Sequence, residues 1–404
     1  MTMQTAHPGE AARLRPGAWG AVLALTLCVS TLIASEFMPV SLLTPIASDL
    51  HLTEGQAGQA ISVSGLFAVV TSLFISSATR RIDRRTLLLS LTVLMLVSGL
   101  TVALAPNFAV LIGGRAALGI VIGGFWSMST AVVMRLVSER EVPRALALLN
   151  GGNALATTVA APLGSFLGQY IGWRGAFFCV VPLAALTLAW QFVRLPSMPP
   201  RGRSTAGATF RVLRRPHVPY GIAAVTLLFM GQFALFTYLR PFLETVTRVN
   251  VSMLSVILLI VGVAGLVGTS LIGLLLKKRL QAVLVAMPLA MAAIALGLIA
   301  FGSSPVAAAA LLALWGLIGT AAPVGWWTWL SKVLPEDAEA GGGLMVAAIQ
   351  LAITLGASAG GLLFDRSGYE ATFAVSAVIL CGSALLAFAG SRREKSRPAQ
   401  AANA

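Results

Sequence analysis

One acidic residue stands apart in this sequence because it lies deep inside a long apolar run. Glu36 is flanked by TLIAS and FMPVSLL, whereas the other Asp and Glu residues fall at the termini, between apolar runs or at the end of one. A charge at the centre of a bilayer costs about 2.5–3.5 kcal/mol on insertion scales, so an intramembrane acid indicates a functional site. A buried carboxyl of this kind could bind and release a proton. The alternative is a structural Glu tied to a neighbouring helix.

Arg115 lies inside another apolar run and is the predicted partner of Glu36. At a rise of 1.5 Å per residue, Glu36 lies about 15 Å and Arg115 about 9 Å below the outer ends of their helices. The two side chains can therefore form an ion pair if the helices are adjacent. Gly119 and Trp126 share the helix face of Arg115. For Gly119 and Gly123, helix packing is the favoured interpretation.

Aromatic and amide side chains form a second group, which suits a flat, neutral, polar ligand. They belong to several apolar runs that could line a central cavity. The predicted ligand-contacting residues are Trp126, Asn153, Gln232, Tyr238, Trp327 and Gln350. For the two tryptophans, a position in the membrane interface is an equally good explanation. Arg240, near the end of its run, is expected to extend to the interface.

The composition excludes an ordinary soluble protein. Of the 404 residues, 57% are hydrophobic and only 10% are charged, whereas soluble domains carry about a quarter charged residues. The net charge of +14 is not gathered into one basic domain with interleaved aromatic residues, so no nucleic acid partner is expected. The three cysteines lie in apolar runs. Without a zinc, ATP or hydrolase motif, neither enzyme activity nor a metal or other cofactor is expected.

Apolar runs of about 20 residues predict roughly twelve membrane helices. Their predicted limits are 20–46, 56–78, 86–105, 109–134, 145–170, 175–195, 218–243, 252–276, 282–302, 306–331, 341–364 and 371–390. Most of the 28 Lys and Arg residues fall in loops on one side, and the opposite loops hold Arg174, Arg248 and Arg366. The positive-inside rule then places both termini in the cytoplasm.

The chain divides into two similar parts. A polar linker at 196–217 separates an N-terminal half at 1–195 from a C-terminal half at 218–390, and a tail follows at 391–404. Three segments recur in the same order in both halves: EFMP and YLRP, GFWS and GWWT, GWRGAF and GYEATF. Such a repeat indicates duplication. We predict an all-α membrane protein with two pseudo-symmetric six-helix halves, the architecture of secondary transporters.

The residues also resemble a known family over essentially the whole chain. SEFMPVSLLTPIASDL, RRIDRRTLLL, GRAALGIVIGGFWSMS and APLGSFLGQYIGWR resemble the drug:proton antiporter branch of the major facilitator superfamily. Within that branch, FRVLRRPHV, GQFALFTYLRP and PVGWWTWLSK are similar to bacterial purine ribonucleoside efflux pumps. Sugar and drug exporters share the first signature and remain alternatives. Outside transport, the alternative is a non-transporting membrane receptor.

The resemblance implies a monomeric exporter in the inner membrane of a bacterium, with a small neutral polar substrate such as a purine ribonucleoside. The proton gradient would drive transport by alternating access of the two halves. By position, Glu36 resembles the proton-coupling acid of the branch, and Arg115 resembles its fourth-span Arg. Pro162 and Gly164 correspond to the fifth-span antiporter motif, although Ala161 replaces its usual Gly.

The loop after the second predicted span departs from the family pattern. The acidic residue that the family places in its cytoplasmic gate is either displaced or lost here, and Asp83 is the acid that could replace it. The resemblance therefore implies a gate formed by Asp83, Arg84 and Arg85. A basic loop that serves only to fix topology is the alternative.

Overall fold

A computed structural model describes residues 18–138, 140–199, 212–215, 217–334 and 338–395, and its regular elements there are all α-helices. Parts of the predicted linker and tail lie outside the described residues. In chain order the helices are α1 Ala18–Asp49, α2 Glu54–Ala78, α3 Arg84–Ala103, α4 Phe108–Leu136, α5 Val142–Phe178, α6 Val180–Arg194, α7 Val218–Phe236, α8 Leu239–Thr245, α9 Val251–Phe301, α10 Pro305–Gly319, α11 Ala322–Val333 and α12 Ala338–Lys395.

Nine stretches of the described chain are long and apolar enough to cross a membrane. Three of them have 51 or 52 residues, which at 1.5 Å per residue is more than twice the hydrocarbon thickness of about 30 Å. Each of the three contains one residue with non-helical backbone angles, namely Gly172, Arg279 and Gly368. The sequence predicted twelve separate runs, and the structure has fewer stretches because three pairs of runs are joined by a bend without a loop.

Two of these bends have the same backbone conformation. Gly172 has φ 71° and ψ 168°, and Gly368 has φ 74° and ψ −172°. This region is open essentially to glycine alone. The two residues begin the repeated segments GWRGAF and GYEATF, so the repeat has a conformational reason in both places.

Helix α1 contains two prolines, and each removes one hydrogen-bond donor from the helix. Pro39 and Pro45 lack the N–H group that would bond to the carbonyl four residues earlier, at Ser35 and at Ser41. In the hydrocarbon region a freed carbonyl needs another donor. Both carbonyls receive one from an arginine of a different helix.

Arg115 of α4 donates from Nη1 to Ser35 O at 2.7 Å. Arg240 of α8 donates from Nη1 to Ser41 O, and its Nε donates to Glu244 at 2.8 Å. Arg115 is 1% exposed and Arg240 is 5% exposed. The prediction that Arg240 extends to the interface is therefore wrong, because the carbonyl freed by a proline holds it inside the bundle.

Two segments of the described chain, 18–199, which includes the start of the predicted linker, and 217–395, pack together mainly through α2 with α12 and α5 with α9. At one end of the bundle the Asp365 carboxylate of α12 accepts hydrogen bonds from the first turn of α2. Thr53 Oγ1 donates at 2.6 Å and Gly55 N at 3.0 Å. We call this end of the bundle the Asp365 end.

Replacing Gly172 or Gly368 by Ala should lower the free energy of unfolding by about 1–3 kcal/mol, since a Cβ disfavours this backbone region. No atom lies within 4 Å of the added Cβ at either site, so the loss would come from the backbone alone. Gly113→Ala is the control, because this helical glycine also has open space around it. The control should be neutral or slightly stabilising. Thermal unfolding of the purified protein in detergent measures all three variants, and equal effects would contradict the backbone explanation.

A double-mutant cycle tests the link between Pro45 and Arg240. Arg240→Met leaves the buried Ser41 carbonyl without a donor, which costs about 1–3 kcal/mol. In the Pro45→Ala background the helix supplies its own N–H, so the same substitution should cost less. Arg248 is exposed, so Arg248→Met gives a control variant for which no coupling to Pro45→Ala is expected. Additive losses for Arg240→Met and Pro45→Ala would rule out the link.

Candidate functional site

Glu36 lies where the two chain segments meet. Its side chain is 6% exposed in α1, and its Oε1 accepts a hydrogen bond of 3.3 Å from Gln350 Nε2 of α12. Gln350 is also 6% exposed, and its Oε1 has no hydrogen-bond partner. Among the residues that the structure describes, a single hydrogen bond thus joins the buried carboxyl group to the opposite segment.

Arg115 lies beside Glu36 but binds its backbone, which corrects the predicted ion pair. Nη2 donates to Glu36 O at 3.2 Å and to Ser64 Oγ at 3.1 Å, and Nε donates to Ala60 O at 2.9 Å. Together with Ser35 O, four oxygen acceptors occupy the guanidinium. The carboxylate was the expected acceptor, but the carbonyl freed by Pro39 orients the guanidinium towards the main chain.

Further contacts between the segments surround the carboxyl group. One helical turn after Gln350, Thr354 Oγ1 donates to Ser62 O of α2 at 3.2 Å. Next to Glu36, the Phe37 ring stacks on Phe233 of α7 with centroids 5.9 Å apart. Sequence reasoning missed this aromatic pair, since single phenylalanines in apolar runs carry no signal that distinguishes them from lipid-facing residues.

Four of the predicted ligand-contacting residues are partly exposed: Trp126, Asn153, Gln232 and Trp327. Trp327 is 42% exposed, and the Trp126 ring packs edge-on against Phe125. Gln232 has a buried Oε1 without a partner. Within the described chain no hydrogen bond or ring contact joins these four side chains to each other. Each of the four keeps a partly exposed surface, and Gln232 keeps an unpaired buried amide oxygen.

Two other predicted ligand-contacting residues have different surroundings. Tyr238 is completely buried, its hydroxyl donates to Ala357 O at 2.7 Å, and its ring stacks on Phe364. Gln350 binds Glu36. These placements do not support a substrate contact for Tyr238 in this conformation, because its one polar group is already occupied.

The glycines of α4 lie at its contact with α2. A Cβ on Gly119 would come within 2.2 Å of Ser64 O, and one on Gly123 within 2.3 Å of Ala68 O. Both are impossible distances for a carbon atom, so glycine permits the close approach of these helices. The same approach brings Arg115 within reach of α2.

Pro162 and Gly164 of α5 lie at contacts with two other helices. Pro162 leaves Thr158 O without its helical donor, and a Cβ on Gly262 of α9 would come within 2.5 Å of that oxygen. Thr158 Oγ1 donates to Gly262 O at 3.2 Å. A Cβ on Gly164 would come within 2.7 Å of Ser41 Oγ. The predicted fifth-span motif thus lies between α1 and the opposite segment.

The predicted gate residues contact the chain that follows α6. Asp83 accepts hydrogen bonds from Ser197 Oγ at 2.6 Å, Met198 N at 2.9 Å and Arg85 N at 2.7 Å. Burial raises the pKa of the Asp83 carboxyl, but these hydrogen bonds outweigh it and hold the pKa below its ordinary value. Arg84 N donates to Met198 O at 3.0 Å. In this conformation the loop therefore anchors the start of the linker.

Arg85 makes a similar contact. Its Nη2 donates to Phe192 O at 2.7 Å, and its guanidinium lies 5.4 Å from the Phe192 ring. Sequence reasoning missed both this anchoring role and the inward position of Arg240. The prolines inside the first apolar run could have indicated the inward position of Arg240, because each of them frees a buried carbonyl that needs a donor.

Comparison with known proteins gives a consistent family. The model of the Major Facilitator Superfamily matches residues 23–345. Purine ribonucleoside efflux pump NepI of Escherichia coli (strain K12) is 42% identical over 388 residues, 96% of this chain and 98% of NepI. Transcription regulatory protein OpdE of Pseudomonas aeruginosa is 59% identical over 374 residues, 92% of this chain and 93% of OpdE.

Solved structures agree in fold. The D-xylose-proton symporter has a TM-score of 0.76 at 17% identity, covering 92% of this chain and 97% of its own. A bacterial homologue of the human lysosomal transporter Spinster, inward-facing and unoccupied, has a TM-score of 0.74 at 14% identity, covering 94% and 98%. On its family match, its near full-length relatives and its all-helical fold, this chain belongs to the Major Facilitator Superfamily and is a membrane transporter rather than an enzyme.

Proposed function

We propose that the protein exports purine ribonucleosides, such as inosine and guanosine, in exchange for protons. The observation that carries the proposal is a buried carboxyl group at the contact between the two segments, in a chain 42% identical to NepI. Proton movement through Glu36 would be coupled to alternating access, with the proton gradient as the energy source. The protein works as a monomer without a cofactor.

The proposed topology has twelve crossings and both termini in the cytoplasm. Dividing the three bent stretches at Gly172, Arg279 and Gly368 gives two crossings each, and the basic loops assign the cytoplasmic side. The halves are 1–195 and 218–390. The Asp365 end then faces outwards and the gate loop at Asp83 faces the cytoplasm of a bacterial inner-membrane protein.

The contacts between the segments support an inward-open state under this topology. Hydrogen bonds from Thr53 and Gly55 to Asp365 close the outer end. Asp83 meanwhile contacts Ser197 and Met198 of its own segment. A gate contact from Asp83 to the C-terminal half would belong to the outward-open state.

The free aromatic and amide groups favour a nucleoside over a cation. A nucleoside offers a flat base for stacking and hydroxyl groups that need hydrogen-bond partners, which suits Trp126, Asn153, Gln232 and Trp327. A permanently cationic drug would require more acidic groups than Glu36. A sugar or broad drug exporter remains the alternative within transport.

Uphill transport tests the coupling. Inverted vesicles containing the protein should accumulate labelled inosine when their lumen is acidified, and Glu36→Gln should reduce this accumulation to the background of empty vesicles. Glu370→Gln is the control, since it removes an exposed carboxylate and should leave transport unchanged. Undiminished uphill accumulation by the Glu36→Gln variant would remove Glu36 from the mechanism.

Competition tests the substrate class. Unlabelled purine nucleosides should inhibit inosine accumulation, whereas arabinose and ethidium should not. Base stacking contributes about 1–3 kcal/mol, so Trp126→Ala should weaken nucleoside binding by roughly tenfold or more. Trp126→Phe keeps a stacking surface and should lose less. Inhibition by ethidium but not by nucleosides would replace the nucleoside proposal with a drug exporter.

A second candidate function is a membrane receptor without transport activity. The name of the Pseudomonas aeruginosa relative, transcription regulatory protein OpdE, is the observation that favours it. The vesicle experiment separates the two functions, because a receptor would bind a ligand without accumulating it.

A further inference from the structure

We propose that the hydrogen bonding of Gln350 changes with the protonation state of Glu36, and that this change alters the strength of the contact between the two halves. The proposal rests on the proposed function, in which Glu36 carries the transported proton. Gln350 is then a positioning residue for coupling rather than a substrate ligand. Its only described side-chain partner is the Glu36 carboxyl group, on a helix of the other segment.

The hydrogen-bonding capacity of the two groups carries the argument. A carboxylate only accepts hydrogen bonds, so it can bind the Gln350 amide group through Nε2 alone. The structure has this single bond at 3.3 Å, and Gln350 Oε1 is buried without a partner. A protonated carboxyl also donates, and a carboxylic acid and a primary amide can form a cyclic pair with two hydrogen bonds. The neutral acid therefore fits this site better than the carboxylate does.

The charged groups around Glu36 do not replace this interaction. Arg115 of α4 is occupied by four oxygen acceptors, and Arg240 of α8 is occupied by Ser41 and Glu244. At the end of α1, Arg174 of α5 pairs with Asp49. Arg144 of α5 and Arg194 of α6 contact Trp19 and Gly20 at the start of α1, roughly 24 Å along the helix from Glu36 at a rise of 1.5 Å per residue. The other polar contacts from neighbouring described helices are neutral and include Ser64 of α2, Thr92 of α3, Thr187 of α6 and Gln350 of α12.

The second hydrogen bond would act on the outer closure. Gln350 lies on the same face of α12 as Thr354, which contacts Ser62 of α2, and α12 continues to the Asp365 contact. Protonation of Glu36 from the outside would strengthen the link between α1 and α12 and stabilise the closed Asp365 end. Proton release to the cytoplasm would leave one hydrogen bond and ease opening. This order matches exchange of an entering proton for an outgoing substrate.

Distance measurements between spin labels test the proposal in the full-length protein in lipid nanodiscs. Labels at Pro106→Cys and Ser303→Cys, both exposed positions, report the outer separation after replacement of Cys28, Cys179 and Cys381. In the labelled protein without further substitutions, which we call the parent, the ratio of conformers closed at the Asp365 end to open conformers should rise by roughly fivefold from alkaline to acidic pH. This is the effect of one net hydrogen bond. Gln350→Met, of similar length, should remove this pH response.

Two further variants distinguish a contact that depends on the protonation of Glu36 from a contact that does not. Thr354→Val removes the hydrogen bond to Ser62 one turn away, so it should favour opening at every pH but keep the pH response. Glu36→Gln can form an amide pair with two hydrogen bonds and should stay closed at all pH values. If Gln350→Met fails to fold, the Glu36→Gln variant still tests the pairing between positions 36 and 350. Adding Gln350→Met to Glu36→Gln should release the closed state.

A pH response that persists undiminished in Gln350→Met would overturn the inference, as would a parent without any pH response. A Glu36→Gln variant no more closed than the parent at alkaline pH would also overturn it. The proposed function is judged separately by proton-driven inosine accumulation. Accumulation by the parent together with a pH-responsive Gln350→Met variant would leave the exporter standing and remove Gln350 from its coupling.

Discussion

A main-chain carbonyl without a hydrogen-bond donor costs several kcal/mol in the hydrocarbon region, and this constraint organises α1. Pro39 and Pro45 create two such carbonyls, six residues apart on the same helix. Arg115 serves the first and Arg240 the second. One arginine comes from the same chain segment and the other from the opposite segment. The backbone of α1 is therefore held by one arginine of its own segment and by one arginine of the opposite segment. Glu36 lies next to the first of these two contacts.

The same constraint explains why two arginines are buried in a membrane protein. Burial of an isolated guanidinium is expensive, but Arg115 finds four oxygen acceptors from α1 and α2. Its rigid fork of donors suits several carbonyls at once, which a lysine ammonium would not match. Arg115 thus leaves the Glu36 carboxyl group without a direct ion pair. The two charges still attract each other through space, but a change in protonation of the carboxyl group breaks none of the four hydrogen bonds by which Arg115 holds α1 and α2.

The sequence could predict the features that depend on one helix at a time. The apolar runs, the depth of Glu36 and the close-packing role of Gly119 all follow from composition and helical spacing. Contacts that depend on how helices are rotated against each other could not be predicted. Tyr238 and Gln350 are both polar residues in apolar runs. The Tyr238 hydroxyl donates to a backbone carbonyl, whereas the Gln350 amide binds the Glu36 carboxyl group. Pairing Arg115 with Glu36 by charge likewise overlooked the acceptor that Pro39 creates.

The polar contacts divide the transporter into regions with different tasks. From Glu36 to the Asp365 end, side chains of the two segments bind one another, as Thr354 binds Ser62 O and Thr53 binds Asp365. Trp126 and Asn153 make no such contact within the described chain. Under the proposed function, a nucleoside would bind there without breaking a hydrogen bond between the segments. Glu36 belongs to the first region, so under the proposed function a change at this carboxyl group acts on the contacts between the segments and not on the groups proposed to bind the ligand.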